Sequence, residues 1–219
     1  MIAGVAFAVL YTTAVLVLPA AAGDDPAALR ARALLLAFAA LALGLLVAAV
    51  RERLDGPPAH LFTVGSALLL AQLCVAVWLS AGPAIRPGQV DGGTAATLDD
   101  IGALWLPTAT IANIMVAVPI LLSANEERLP HWLGIGAAVF VVEQLIETIT
   151  IIGPPGSFIS PGGPMNVYLG ASLSAAFFLA VGVAMSQTAV PGPAGAAPKT
   201  PEPEGAASAP PSSEEPVGD

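Results

Sequence analysis

Six blocks of about 20 mostly apolar residues occupy the first 188 residues of this chain, and they constrain its fold more than any other feature. A helix rises 1.5 Å per residue, so about 20 residues cross a hydrocarbon layer roughly 30 Å thick. Lipid offers no hydrogen bonds to the backbone, and a helix satisfies its own N–H and C=O groups. The sequence therefore predicts an all-α integral membrane protein, with a bundle of six transmembrane helices in residues 1–188. The predicted helices, called segments one to six, cover about residues 2–22, 26–50, 59–80, 101–123, 131–152 and 164–186.

The composition excludes most other classes of protein. Apolar residues make up 56% of the chain, charged residues only 11%, and the mean hydropathy is +0.80. A soluble domain carries about 25% charged residues. The sequence has no cluster of basic residues, so nucleic acid is not an expected partner. Its single cysteine, Cys74, excludes an internal disulfide.

The last part of the chain, residues 189–219, differs sharply from the six blocks. It consists mainly of Pro, Ala, Gly, Ser and Glu, and it lacks the bulky side chains that could offset the entropy of folding. We therefore predict a disordered acidic tail. The net charge of −9 is divided between this tail and the loops, and it does not describe one surface.

Local signals place the ends of several segments. Asp25 before Pro26 predicts a helix start, because Asp is a good N-cap and Pro suits the first helical position. A Gly- and Pro-rich loop is expected over residues 81–98, with Asp99 and Asp100 capping segment four. Segment one ends in Ala-Ala-Gly, which resembles a signal-peptidase site, but no basic region precedes it. A retained first helix is therefore preferred, and five helices would remain if it were cleaved.

Basic residues in the loops indicate an orientation. With six helices both ends lie on one side, and the face that holds the N-terminus carries four basic residues against three on the other face. This weak excess favours a cytoplasmic N-terminus and C-terminus in the cell membrane, either an inner or a plasma membrane.

Segment five carries the chemically unusual feature of the chain. Glu143 and Glu147 lie deep within an apolar segment, and their spacing of four residues places them on one helix face with Thr150. An ionised carboxylate at such a depth costs at least about 2.5–3.5 kcal/mol. Two carboxylates on one face would also repel each other, so at least one is expected to be protonated at neutral pH.

Other polar side chains match this depth. The short turn between segments four and five makes these segments antiparallel neighbours, so counting along the helices brings Asn113 and Thr110 level with Glu143. Gln72 of segment three reaches a similar depth. The candidate binding residues for a proton or ligand are therefore Glu143, Glu147, Gln144, Asn113, Thr110 and Gln72.

The function of this polar layer stays open at the level of sequence. One interpretation is a site for a proton, a cation or a small polar ligand, and a second is packing between helices by mutually satisfied polar groups. A third is an assembly or accessory protein that contacts a partner through the acidic stripe or the tail. The expected partners are the lipid bilayer and either a second copy or another membrane protein.

No catalytic activity is expected. The two histidines, His60 and His131, lie at segment ends, and neither a nucleophile–base pair nor a metal-binding motif is present in the sequence. No metal or cofactor is expected for the same reason.

The turn Leu129-Pro130-His131-Trp132-Leu133-Gly134 resembles a family of actinobacterial multi-pass membrane proteins of unknown function. Members of that family carry a Leu-Pro-x-Trp-Leu-Gly turn before the penultimate helix. The segment from Leu104 through Asn166 adds to the likeness, which covers about a third of the chain. The resemblance implies a similar size and helix count, and it implies no particular activity.

Overall fold

The computed structural model describes residues 1–22, 25–85, 89–154 and 156–187, and every regular element within them is helical. The tail predicted to be disordered, residues 189–219, lies outside the described residues. The described part contains six long helices, here called helix 1 to helix 6, and each is long and apolar enough to cross a membrane. By length and composition, the described residues therefore confirm the predicted count of six helices that could cross a membrane.

The six helices occupy the same order along the chain as the six apolar segments. Three of them change helix type along their length. Helix 1 contains a π-helical stretch, helix 5 ends in a 3₁₀ turn, and helix 6 begins with a π-helical stretch. Helix 1 covers Ile2–Thr12, Thr13–Val17 and Leu18–Ala22, helix 2 covers Pro26–Arg51, and helix 3 covers Gly56–Ile85. Helix 4 covers Trp105–Asn125, helix 5 covers His131–Thr148 and Ile149–Ile152, and helix 6 covers Met165–Gly170 and Ala171–Gln187.

The chain between helices 3 and 4 is more helical than predicted. Helix 3 continues to Ile85, and a separate connecting helix covers Gly92–Ala103. Asp91 is its N-cap, because the carboxylate accepts hydrogen bonds of 3.0 Å from the N–H groups of Gly93 and Thr94. The predicted cap at Asp99 and Asp100 is therefore wrong, since both lie inside this helix.

The cap predicted at the start of helix 2 is confirmed. The Asp25 carboxylate accepts hydrogen bonds from the N–H groups of Ala27 at 3.0 Å and Ala28 at 3.1 Å, and Pro26 occupies the first turn. These bonds satisfy two of the backbone donors that a helix start leaves without partners.

The helices form a closed ring in chain order. Each helix packs against the one before and the one after it, and helix 6 returns to pack against helix 1. This last contact is close because both helices present a glycine there: a Cβ added to Gly4 would lie 2.8 Å from the Cα of Gly182. The interior of the ring is therefore shared by all six helices.

Arginine side chains join the loops at both ends of the ring. Arg128, in the turn between helices 4 and 5, forms an ion pair with Asp55 at 2.8 Å, and we call this end the Arg128 face. At the other end Arg30 donates hydrogen bonds of 3.0 and 2.7 Å to the carbonyl of Ala84 at the end of helix 3. We call that end, which also holds the connecting helix, the Asp91 face.

Candidate functional site

Helix 5 directs its polar face into the ring. Gln144 is fully buried, and Glu143 and Glu147 are 7% and 2% exposed. The opposite face of the same helix is apolar and outward, with Val142 and Leu145 more than half exposed. A period of 3.6 residues explains both faces, since residues 143, 144 and 147 fall on one side of the helix.

The side chain of Gln144 joins the two carboxyl groups. Its Nε2 donates hydrogen bonds to Oε2 of Glu143 at 2.7 Å and to Oε2 of Glu147 at 2.9 Å. Its Oε1 accepts a hydrogen bond of 2.6 Å from Nδ2 of Asn113 in helix 4. We call these four residues the acid cluster. Asn113 was predicted to lie at the depth of Glu143, and in the structure it meets the two glutamates through the amide of Gln144.

The donor pattern determines how both amides are turned. A carboxyl group keeps an accepting oxygen whether or not it carries a proton, and in the structure the NH₂ group of Gln144 faces Glu143 and Glu147 while its carbonyl faces Asn113. Asn113 must in turn present its NH₂ group to Gln144. Two buried acceptors of the cluster then have no hydrogen-bond partner among the described residues: Oδ1 of Asn113 and Oε1 of Glu143.

Neither carboxyl group of the cluster forms an ion pair with a described residue. Two ion pairs of the described residues join Arg128 to Asp55 and to Glu126 at the Arg128 face, away from the acid cluster. Two carboxyl groups therefore share one neutral amide in the interior. Because two buried negative charges so close together are costly, this arrangement is chemically suited to a pair that carries at least one proton.

Thr110 lies beside the cluster and bonds to a different partner. Its Oγ1 is 2.7 Å from Oγ1 of Thr148, one turn beyond Gln144 on helix 5. Farther along, Nδ2 of Asn166 donates to Oγ1 of Thr150 at 2.7 Å, and this hydroxyl donates to the carbonyl of Glu147 at 2.6 Å. Asn166 was not among the predicted site residues, although its position in the first turn of helix 6 matches the depth of Thr150.

Gln72 does not join the acid cluster. Its Nε2 donates a hydrogen bond of 3.1 Å to the carbonyl of Thr108 and so ties helix 3 to helix 4. Its depth is as predicted, but the rotation of helix 3 directs the side chain to the backbone of helix 4.

Gly170 is a site residue that sequence reasoning missed. A Cβ added there would lie 2.6 Å from Oε1 of Glu147, so the missing side chain makes room for the carboxyl group. Gly170 ends the π-helical stretch of helix 6, a type of element found frequently at functional sites. In the sequence, Gly170 and Ser174 form a pair of small residues four positions apart, a pattern that predicts close helix packing and gives no link to Glu147.

A small cavity lies beside Glu147, with a volume of about 20 Å³. All six helices contribute to its wall, and most of the wall is apolar. The polar residues that line it are Tyr11, Trp105, Asn113, Glu147 and Ser174. A polar cavity of this size holds about one or two water molecules.

Toward the Arg128 face, aromatic rings fill the interior of the ring. Phe140, one turn before Gln144, stacks on Phe177 with ring centroids 4.3 Å apart. Phe178 packs edge-on against Phe177 at 5.3 Å and against Phe7 at 5.1 Å. We call these four residues the aromatic cluster. All four are at most 4% exposed, so this end of the interior is closely packed.

Comparison of the chain with protein-family models, with curated proteins and with solved structures gave no match. The resemblance to the actinobacterial membrane proteins therefore stays a prediction. Within the described residues, no three His, Cys, Asp or Glu side chains lie close enough together to hold a metal ion.

Proposed function

We propose that this chain is an integral membrane protein of six transmembrane helices whose acid cluster binds and releases a proton. The observation that carries the proposal is the pair of hydrogen bonds from one amide nitrogen of Gln144 to both Glu143 and Glu147. The six long apolar helices and their exposed aliphatic outer faces support the location in a membrane.

The cost of burying charge supports a shared proton. Two ionised carboxylates in contact with one amide would repel each other in a region of low dielectric constant, and neither forms an ion pair with a described residue. A neutral acid avoids that cost, and one proton leaves at most a single negative charge on the pair. Loading and release of this proton is therefore the chemical change that the site accommodates with least rearrangement.

The size of the site favours a proton over a larger ligand. The cavity beside Glu147 has room for about one or two water molecules, which is too small for a sugar, an amino acid or a nucleotide. The burial of both glutamates favours an internal site over a partner bound to the acidic stripe. The alternative role in assembly then depends on the tail, residues 189–219, which lies outside the described residues.

The proposal includes no catalytic step. It also includes the orientation with a cytoplasmic N-terminus. In the sequence, four basic residues (Arg51, Arg53, Arg128 and Lys199) fall on the side of the N-terminus, and three (Arg30, Arg32 and Arg86) fall on the other side. Membership of the actinobacterial family remains part of the proposal, on the strength of the Leu129–Gly134 turn and the likeness of the sequence around it.

Labelling with a hydrophobic carbodiimide tests the proton site, since the reagent reacts with protonated carboxyl groups in apolar surroundings. In the protein held in lipid nanodiscs, we expect modification at Glu143 or Glu147 that falls as the pH rises from about 5 to about 9. Glu52, exposed at the end of helix 2, is the internal control and should react little.

Substitutions separate a proton site from simple packing. Glu143→Gln and Glu147→Gln keep the shape and hydrogen-bonding capacity of each side chain, and each should remove its own label and flatten the pH dependence. Glu52→Gln is the matched control and should leave the labelling profile unchanged. Absence of labelling at both glutamates throughout this pH range, in protein shown to be folded, would overturn the proposal and leave packing as the role of the cluster.

A further inference from the structure

We propose that the cavity beside Glu147 is a hydration site for one or two water molecules, which connect the acid cluster to the Asp91 face only. The water site depends on the cavity and its unpartnered polar atoms. We further propose that protons reach the acid cluster along these waters, and this step rests on the proposed function.

Two residues that line the cavity carry buried polar atoms without a described hydrogen-bond partner. A buried water is stable when it finds about two to four hydrogen-bond partners. Oδ1 of Asn113 is a buried acceptor without a described partner, and Asn113 itself is only 7% exposed. Nε1 of Trp105 is a buried donor without a described partner, and both residues line the cavity. A water placed there satisfies groups that otherwise cost about 1–3 kcal/mol each.

The lining of the cavity extends along helix 4 toward the Asp91 face. On helix 4 its lining residues are Trp105, Ala109 and Asn113, spaced by four and therefore on one face. Trp105 is the first residue of helix 4, and helix 4 starts at the Asp91 face. The lined face thus runs from that end of the bundle to the acid cluster, over about 12 Å at 1.5 Å per residue.

On the side of the Arg128 face, aromatic side chains close the interior of the ring. The aromatic cluster packs across the interior between the acid cluster and the Arg128 face. Phe140 lies one helical turn from Gln144 and carries no group that could hydrogen-bond to water. Water can therefore reach the acid cluster from the Asp91 face, and the aromatic rings exclude it from the Arg128 face.

Few other charged groups face this site. Helix 1 contributes the Tyr11 hydroxyl, and Arg32 of helix 2 interacts electrostatically with Tyr11, as do Glu143 and Glu147. Among the described residues, helices 3, 4 and 6 line the cavity with apolar groups, the amide of Asn113, the indole of Trp105 and the hydroxyl of Ser174. Exchange of a proton by way of water therefore involves the two glutamates and the Tyr11 hydroxyl.

Two alanines of helix 4 provide a matched test. Ala109 and Ala117 lie one turn on either side of Asn113, are 5% and 0% exposed, and differ in that only Ala109 lines the cavity. Each is replaced by cysteine, as A109C or A117C, in the full chain in which Cys74→Ser removes the native thiol. Silver ion is the probe, because it is thiol-reactive, charged and of similar size to a water molecule.

The measurement is made in sealed vesicles, with silver added to one side at a time. Exposed cysteines at Ala96→Cys on the connecting helix and Glu52→Cys at the end of helix 2 report which face is outside. Silver that reaches the site blocks later alkylation of the denatured protein. We expect A109C to lose most of its alkylation when silver is on the Asp91 face, and A117C to keep it from either side.

A measurement on the unsubstituted protein guards against misfolded variants. Hydroxyl radicals generated from bound water should oxidise Trp105 and leave Phe140 unmodified. Silver protection of A109C from the Arg128 face, equal protection of A109C and A117C, or oxidation of Phe140 to the level of Trp105 would overturn the proposal. If silver does not reach A109C but the carbodiimide still labels the glutamates, the water site alone is rejected. If silver reaches A109C but the carbodiimide labels neither glutamate, the proton site alone is rejected.

Discussion

Helices 2 and 5 occupy the same ring, yet their inward faces have opposite chemistry. Helix 2 buries aliphatic side chains such as Leu36, Leu43 and Leu46, each at most 2% exposed. Helix 5 buries Glu143, Gln144 and Glu147 at the corresponding position in the bundle. Aliphatic side chains pack in many rotations with similar energy, whereas the polar face is stable only when each atom finds its partner. The difference indicates that helix 5 is under a constraint beyond packing.

The largest expected effect comes from Gln144→Leu, which keeps the volume and removes the amide. Both carboxyl groups and the Nδ2 group of Asn113 would lose a hydrogen bond in the interior, at a cost of about 3 kcal/mol or more. The free energy of unfolding in mixed micelles measures this loss. Val142→Ala, on the outward face of helix 5, is the control and should change it far less. Equal stability of Gln144→Leu and the native chain would mean that the amide does not hold the cluster together.

Gly170→Ala should have the next largest effect. The new methyl group would overlap the carboxyl group of Glu147, and overpacking of this kind costs about 1–3 kcal/mol. The double variant with Glu147→Ala should recover most of the loss, because the carboxyl group that clashes is gone. Additive losses in that double-mutant cycle would show that the two residues are not in contact.

Leu36→Ala tests the aliphatic side of the comparison. If the unfolded helices remain in lipid, the transfer of the side chain from water does not contribute, and only lost packing does. We therefore expect a loss of about 1–2 kcal/mol in the same unfolding experiment, with carbodiimide labelling of the glutamates unchanged. The outward-facing Leu41 is the matched control as Leu41→Ala. A loss of labelling in Leu36→Ala would contradict the separation between packing and the proton site.

Asp91 offers a water-facing carboxylate for comparison, with the smallest expected effect. Hydrogen bonds from the Thr94 side chain and backbone, and from the backbone of Gly93, hold the pKa of Asp91 below its ordinary value of 3.8. A lowered pKa in the folded chain means that the cap stabilises the connecting helix above about pH 4 and is lost as the pH falls through that lowered pKa.

Amide hydrogen exchange over Gly92–Ala103 measures the Asp91 effect. Exchange should accelerate in Asp91→Ala at neutral pH, whereas Asp91→Asn should keep the cap and lose its acid sensitivity, since Asn caps helices about as well as Asp. Slow exchange in Asp91→Ala would show that contacts with helices 3 and 4 hold the connecting helix without its cap.

Much of the acid cluster followed from local periodicity and one short turn. The spacing of Glu143 and Glu147 predicts their shared face, and the turn at Glu126–Pro130 makes helices 4 and 5 neighbours, which brings Asn113 to the same depth. The roles of Gln72 and Gly170 did not follow. Depth along a helix can be counted from the sequence, but rotation about the helix axis depends on packing against both neighbours.

The connecting helix shows a second limit. Gly and Pro in residues 81–98 indicated a loop, yet helix 3 continues through Gly82 to Ile85 and a new helix begins after Asp91. Propensities describe average behaviour in isolated helices, and the side-chain cap at Asp91 starts the connecting helix in spite of Gly92 and Gly93.

The sequence by itself determined six long apolar helices, their approximate ends and the acidic face of helix 5, because each depends on residues close together in the chain. Only the tertiary structure decided that the ring closes between helices 1 and 6, that Gly170 accommodates Glu147, and that a water-sized cavity lies beside that carboxyl group. These features join residues more than a hundred positions apart or depend on the angle of each helix about its axis. That angle is set by the packing of neighbouring helices together.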